Sequence, residues 1–183
     1  MHYLHRILVY IPDIDDDWEN KEELKELIRS KAEYETENYS DQTFDWRETE
    51  SAGRWRKEYP EQVYIAADNL EWFINELESV LASQKHEIDN CFKNIAERGG
   101  TNLNDIVNEL WNLTDTSDNM RTGCNEFTAY YLSKLGKLLY GEYISDSMFF
   151  NASVYTARLY QSDIEQIKAA PQDWALVMFD YHN

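Results

Sequence analysis

The pattern of apolar and polar residues predicts strands at both ends of the chain. Residues 3–11 (YLHRILVYI) and 174–181 (WALVMFDY) are rich in β-branched and aromatic side chains, which is typical of strands. Apolar residues occupy both alternating faces of these segments, which indicates that each strand is covered on both sides. We therefore expect the N- and C-terminal strands to be central in a sheet.

Shorter patterns predict the remaining strands. Residues 43–47 and 62–66 each carry enough β-branched and aromatic residues for a short strand, and a second edge is expected near Trp55. Residues 143–160 alternate and contain turn residues around Asn151, which predicts a hairpin.

Helical spacing of apolar residues predicts four to five helices. The first runs over residues 20–36 and begins with a capping box formed by Asn20 and Glu23. Three further helical patterns follow, over residues 101–113, over residues 126–140, and over one to two turns between Ser162 and Pro171, where Glu165 completes a second capping box.

The longest helix is predicted over residues 68–98. Asp68 and Glu71 supply its capping box, and the pair Gly99-Gly100 ends it. A single apolar stripe continues along its length: Leu70, Phe73, Ile74, Leu77, Leu81, Ile88, Phe92 and Ile95.

Together these elements predict an α+β fold. We expect residues 1–183 to form a single compact domain with a mixed or antiparallel sheet covered by the helices. Residues 101–141 are a candidate helical insert, with Phe127, Tyr130, Tyr131, Leu135, Leu138 and Leu139 facing inward on its last helix. Residues 114–123 have the composition of a loop.

The composition is that of a folded, soluble protein. Of 183 residues, 43% are hydrophobic and 14% aromatic, which suffices for a core. No apolar run approaches the roughly 18 residues of a membrane-spanning helix, and neither Cys91 nor Cys124 belongs to a CxxC pair. We therefore expect free thiols and a cytoplasmic location, with no membrane contact.

Negative charge is concentrated in one stretch. Residues 13–50 contain 15 acidic and 5 basic residues, and so carry −10 of the chain's net charge of −18. Such a charge repels phosphates and anionic membranes, which argues against direct binding of nucleic acid. It favours a basic protein as the partner.

The first aspartates of this stretch imitate part of a calcium-binding loop. Asp13, Asp15 and Asp17 have the spacing of its first three ligands. However, Trp18 stands where the loop needs glycine and Leu24 where it needs glutamate. We predict no metal and interpret the run as an acidic turn before the first helix.

The histidines offer an alternative metal site. If the terminal strands pair, His5 and His182 would come close and, with a carboxylate, could hold zinc. Isolated histidines are more often surface or core residues, so no metal is predicted here either.

Catalytic signatures are missing from the sequence. It contains no glycine-rich phosphate loop, no HExxH and no GxSxG, and only 6 glycines. Pairs of carboxylates, as in hydrolases, occur by chance in any acidic protein. We predict that the protein is not an enzyme and needs no cofactor.

An aromatic cluster lies beside the densest charge. Phe44, Trp46, Trp55 and Tyr59 fall in a turn-rich stretch, interleaved with three arginines: Arg47, Arg54 and Arg56. Core packing is the simpler interpretation. The alternative is a binding patch, because Trp, Tyr and Arg dominate interface hot spots and the guanidinium groups can stack on the rings.

A small, strongly acidic protein without catalytic motifs resembles two groups of inhibitors carried by phages and other mobile elements. They are the antirestriction DNA mimics and the type II anti-CRISPR proteins directed at Cas9. The resemblance rests on size, charge and residues 13–50. It implies a stoichiometric inhibitor that binds a Cas9-type nuclease with its guide RNA and blocks DNA binding or cleavage, since such effectors hold nucleic acid in a positively charged channel.

The predicted partner-binding residues are the acids and aromatic anchors of this stretch: Asp13, Asp15, Asp16, Asp17, Glu19, Glu22, Glu23, Glu26, Asp45, Trp46, Glu48 and Trp55. About 25 Å of DNA carries about 15 charges, many more than the net charge of the first helix. A mimic therefore needs the acid run, the helix and the aromatic turn on one face.

Three alternatives remain open at this point. The acids of residues 13–50 can serve solubility alone. The protein can be a mobile-element accessory or adaptor protein that binds another protein through its aromatic surface, or a small carboxylate-dependent hydrolase. A homodimer is compatible with each of these.

Overall fold

The N- and C-terminal strands form the centre of the sheet. The computed structural model describes residues 2–12, 20–43, 46–48, 50–99, 102, 104, 106, 124–142 and 148–182. Its strands are β1 (His2–Tyr10), β2 (Trp46–Glu48), β3 (Val63–Ile65), β4 (Phe149–Asn151) and β5 (Trp174–His182). β1 and β5 pair antiparallel along their whole length, from His2 opposite His182 to Tyr10 opposite Trp174. Their central position is confirmed.

The sheet is mixed, with the order β2-β5-β1-β4. β4 lies parallel to β1. β2 and β3 both pair antiparallel with β5, β2 with residues 180–182 and β3 with residues 175–177. Parallel and antiparallel pairs in one sheet covered by helices make an α+β fold, as predicted.

Four α-helices accompany the sheet in the described part of the chain. They are α1 (Lys21–Thr43), α2 (Leu70–Gly99), α3 (Cys124–Tyr140) and α4 (Gln161–Ala169). The chain divides into two compact units, one of residues 1–81 with 141–183 and the other of residues 82–140.

Both faces of the sheet are buried, because the two central strands carry apolar side chains on both faces. Leu4 and Leu8 lie in one cluster with the start of α2 and with α4. Ile7 and Val9 lie in the opposite cluster, together with the inner face of α1. Full burial of each such side chain contributes about 1.5 to 3 kcal/mol, so the two central strands supply much of the core.

The second unit has a core of its own. The last turns of α2 contribute Cys91 and Ile95, which pack with Ile106 and with Leu135 of α3. Phe92 is 54% exposed although the apolar stripe places it inward, and this prediction is wrong. At this turn of α2, the buried position is that of Cys91, so the neighbouring Phe92 faces solvent. On α3, Tyr130 and Leu139 are likewise exposed rather than inward.

Two predicted elements near turns are wrong. Trp55 belongs to a 3₁₀ turn, Gly53–Trp55, and not to a second strand edge. Residues 143–160 do not form a hairpin in their described part, because β4 pairs with β1 and only a single bridge joins Asn151 to Thr156.

The predicted helix boundaries need smaller corrections. α1 continues seven residues beyond Thr36, to Thr43. The Oδ1 of Asn69, rather than Asp68, accepts the N–H of Trp72 at the start of α2. At α4, Asp163 accepts the N–H of Tyr160, in place of the predicted Ser162 and Glu165 capping box. The predicted loop of residues 114–123 lies outside the described residues, as does most of the helix predicted over 101–113.

Candidate functional site

The start of α1 presents acidic side chains to solvent. Asn20 caps the helix, its Oδ1 accepting the N–H of Glu22 at 3.1 Å. Glu22, Glu23 and Glu26 are all exposed. Since carboxylates near a helix N-terminus also interact favourably with the helix dipole, their presence here has a structural as well as a functional reason.

Two lysines at the start of the same helix form ion pairs outside it. Lys21 forms an ion pair with Asp68 at 3.0 Å, and Lys25 forms a closer one with Glu61. This hydrogen bond to Glu61 is the main reason that the pKa of Lys25 is raised. Both lysines thus reach towards acids outside the helix.

The three exposed glutamates differ in their partners. Glu26 forms an ion pair with Arg29, with 3.6 Å between Oε1 and Nη2. Glu22 and Glu23 form no ion pair with any residue that the structure describes. Two carboxylates in the first turn of α1 are therefore outside any ion pair with a described residue, and Glu22 still interacts electrostatically with Lys25.

Apolar residues are also exposed on α1. Leu27 is 52% and Tyr34 is 74% exposed. Seven residues separate them, and a spacing of seven brings two residues onto the same helix face. The outer face of α1 thus combines free carboxylates with apolar contact area, a combination typical of protein-binding surfaces.

Several predicted site residues are not among the described residues: Asp13, Asp15, Asp16, Asp17, Glu19 and Asp45, together with Phe44 of the aromatic cluster. Trp46 and Glu48 lie in β2, opposite His182 and Asp180 of β5. Glu48 is partly buried, and its Oε1 accepts the N–H of Glu50.

The described part of the aromatic cluster packs inward. Trp55 is partly buried and packs against the cluster of Leu4 and Leu8, to which Tyr59 belongs with 8% exposure. For these two rings, the structure agrees with the core-packing interpretation. Of the three arginines that could stack on the rings of this cluster, Arg47 lies instead over Phe179, and the ring of Tyr59 faces Arg6.

A polar network holds Tyr59 at the edge of this core. The Nε of Arg6 donates to Glu76 Oε2 at 2.8 Å, and the Nη2 of Arg6 donates to the Tyr59 hydroxyl at 2.9 Å. The same hydroxyl donates to Glu76. Burial is the main cause of the raised pKa of Tyr59. The network links β1, the turn after Trp55 and α2.

The histidines are arranged differently from the prediction. His2, and not His5, lies beside His182, with 4.8 Å between ring centroids. The antiparallel register of β1 and β5 places His2 opposite His182, and His5 is therefore opposite Phe179. It is fully buried against Tyr181, and burial lowers its pKa to about 3. It is a neutral core residue.

A buried carboxylate connects the two chain ends with the turn at Gly53. Asp180 is 1% exposed. Its Oδ1 lies 2.9 Å from Nδ1 of His2, and its Oδ2 accepts the N–H of Arg54 at 3.0 Å. Both carboxylate oxygens are therefore engaged in holding the fold together.

The geometry offers no metal centre in the described ranges, where no group of three or more His, Cys, Asp or Glu side chains is arranged to hold an ion. Nor does any helix among the described residues have the length and apolar content needed to cross a membrane.

Comparison of the chain with protein-family models, with curated proteins and with solved structures found no match.

The sequence does not predict which apolar side chains are exposed to solvent. The sequence pattern places Tyr34 in the first predicted helix and Val154 and Tyr155 in the predicted hairpin. All three are more than 60% exposed. Leu27 lies with Leu24, Ile28 and Ala32 at helical spacing and is therefore expected to face inward, and this prediction is wrong. Leu27 is 52% exposed, whereas Leu24, Ile28 and Ala32 form the buried face of α1.

Proposed function

We propose that this protein is a stoichiometric inhibitor of the anti-CRISPR type, which binds a Cas9-type nuclease and blocks DNA binding or cleavage. The observation that supports it best is the exposed first turn of α1. There Glu22 and Glu23 form no ion pair with a described residue, and Lys21 and Lys25 pair with Asp68 and Glu61, although Lys25 remains within electrostatic reach of Glu22. An acidic face of this kind complements a positively charged nucleic-acid channel and accelerates association with it.

The binding surface that we propose has two parts. The free carboxylates of Glu22 and Glu23 supply electrostatic contacts, with Glu26 beside them. Exposed Leu27 supplies an apolar contact next to these acids. Trp55 is a weaker anchor because its ring is already packed against the core. The acid run of residues 13–19 leads directly into this helix in the sequence.

Exposed apolar residues on α1 favour a second candidate, a mobile-element accessory or adaptor protein that binds a different protein. An antirestriction DNA mimic is the third. An anti-CRISPR inhibitor would inhibit a Cas9-type nuclease, and an antirestriction mimic would inhibit a restriction enzyme. An adaptor would inhibit neither enzyme.

The test is an inhibition assay. A purified Cas9-type nuclease with its guide RNA is mixed with this protein, and cleavage of target DNA is followed at increasing salt concentration. We expect inhibition that saturates at a defined molar ratio, with co-elution of the two proteins, and an affinity that falls as salt rises.

A parallel reaction with a type I restriction enzyme tests the antirestriction candidate. Inhibition of that enzyme alone would replace the Cas9-type target by a restriction target. No inhibition and no co-elution with either enzyme would reject both inhibitor candidates.

A further inference from the structure

Hydrogen bonds fix the two ends of the turn that follows β4. The N–H of Asn151 donates to the carbonyl of Thr156 at 2.8 Å. The buried side chain of Asn151 accepts the N–H of Ser153 at 3.0 Å, and the Ser153 hydroxyl accepts the N–H of Tyr10 at 3.1 Å. Because these bonds connect the turn to β1, its conformation is set by the sheet.

Tyr155 occupies the tip of this turn in a strained conformation. Its φ of +52° is the only positive φ of a non-glycine residue among those described. Large side chains rarely adopt this region, which glycine and asparagine tolerate much better. A strained residue held by its surroundings suggests a role for the side chain.

The side chain of Tyr155 is exposed but fixed. It is 65% exposed, while its ring lies 6.3 Å from that of Phe150 in an edge-to-face arrangement. Its hydroxyl donates a hydrogen bond to Glu35 of α1. That hydrogen bond is the main cause of the raised pKa of Tyr155, to which the nearby Tyr34 also contributes.

Three apolar side chains are thus presented to solvent from two elements. Val154 is 62% and Tyr34 is 74% exposed, beside Tyr155. We call these three residues the Tyr155 surface. A rigid aromatic side chain loses little conformational entropy on binding, which is why tyrosine is frequent at interface hot spots.

The charge around the Tyr155 surface indicates the chemistry of its partner. Glu33, Glu35 and Glu37 surround Tyr34 in the sequence of α1. Of the bases near them on the helix, Arg29 pairs with Glu33 at 3.7 Å, and Lys31 donates to the carbonyl of Tyr10. A partner with cationic side chains around an apolar cleft complements this arrangement. A second copy would bring acidic helix against acidic helix at a net charge of −18 each.

We propose that the Tyr155 surface is a docking site for an apolar cleft bordered by Lys and Arg on the Cas9-type nuclease. This inference rests on the proposed function and adds a second contact to the acidic turn of α1. Tyr155 and Tyr34 enter the cleft, and Glu35 faces the cations at its border.

The experiment compares the affinities of variants for the purified nuclease–guide complex. Tyr155→Gly combined with Tyr34→Ala is expected to weaken binding about tenfold or more. Its thermal midpoint is not expected to fall, because glycine relieves the positive φ. The control is Phe92→Ala with Tyr130→Ala, which removes from the other unit two rings that are each 54% exposed. The control should bind as the unchanged protein does.

Val154→Asp provides an independent variant at an exposed position, and we expect it also to weaken binding. If the unchanged protein inhibits the nuclease and all of these variants bind equally well, the docking site is rejected and the proposed function remains. If the unchanged protein does not bind the complex, both are overturned. A concentration-dependent dimer that Tyr155→Gly abolishes in sedimentation would assign the surface to a second copy and overturn the proposal.

Discussion

Gly53 lies directly against the carboxylate of Asp180. A Cβ on Gly53 would be 2.3 Å from Oδ2 of Asp180, and the φ of Gly53 is +54°. The close approach allows the next residue, Arg54, to donate its backbone N–H to the same carboxylate at 3.0 Å. The turn before Trp55 is thereby attached to β5, the strand that also pairs with β1 and with β2.

Replacing this glycine should strongly destabilise the protein. For Gly53→Ala we expect a loss of about 2 to 4 kcal/mol in the free energy of unfolding, since a positive φ and a steric overlap add together. Urea unfolding monitored by tryptophan fluorescence measures the effect. Gly136→Ala is the control, because its Cβ would meet nothing within 4 Å in α3, and it should stabilise the helix by about 0.5 to 1 kcal/mol. Equal effects of the two substitutions would contradict this account.

The ion pair of Arg6 with Glu76 should contribute more than an exposed pair. Their side chains are only 14% and 18% exposed, and the Tyr59 hydroxyl donates to the same carboxylate. Glu76→Gln should cost about 1.5 to 3 kcal/mol, because the guanidinium of Arg6 keeps its charge without a counter-ion. Chemical denaturation of the variant measures this loss.

Glu97→Gln serves as the control for that prediction. The pair of Lys93 with Glu97 is 71% and 61% exposed, so its loss should change stability by less than about 0.5 kcal/mol. A Glu76→Gln variant as stable as Glu97→Gln would show that the network around Tyr59 contributes little.

His5 should make stability depend on pH in the acidic range. Its pKa is about 3 in the folded protein, against 6.5 as the ordinary value. Below pH 6.5 the unfolded chain takes up a proton that the folded protein does not, so stability falls as the pH is lowered towards 3. The slope from this one group approaches about 1.4 kcal/mol per pH unit.

His5→Phe removes this proton uptake while keeping an aromatic ring in the core. Urea unfolding of both proteins between pH 4 and 8 should show a difference in stability that shifts in favour of the variant as the pH falls. Two curves that stay parallel through this range would mean that His5 is protonated in the folded protein.

Reversing charge on α1 should reduce inhibition of the nuclease specifically. We expect Glu22→Lys with Glu23→Lys to weaken inhibition about tenfold or more at 0.1 M salt, and less at 0.5 M, where screening is stronger. The control is Glu71→Lys with Glu78→Lys, which changes the net charge equally at exposed positions on α2. Equal losses with both pairs would show that only net charge matters. Inhibition unchanged by the α1 pair would keep the target but reject an acidic binding face.

Part of this surface is visible in the sequence, and part is not. The exposure of Glu22, Glu23 and Glu26 follows from the apolar stripe on the opposite side of α1. That Lys21 and Lys25 pair with Asp68 and Glu61 does not follow, since those partners are more than 35 residues away along the chain. Likewise, Trp55 has the residue type of an interface anchor, but only the packing of distant segments shows that its ring faces the core.

The chain's residue pattern alone predicts the elements whose signal is local and long: β1 and β5 with apolar side chains on both faces, and α1 and α2 with helical spacing. It also determined the concentration of negative charge in residues 13–50. Tertiary structure decided what depends on contacts between distant segments. These are the pairing of β4 with β1, the position of His2 rather than His5 beside His182, and the strained Tyr155 held against Glu35. Short strands and turns carry too few residues for their own pattern to outweigh the packing energy of the sheet and helices around them.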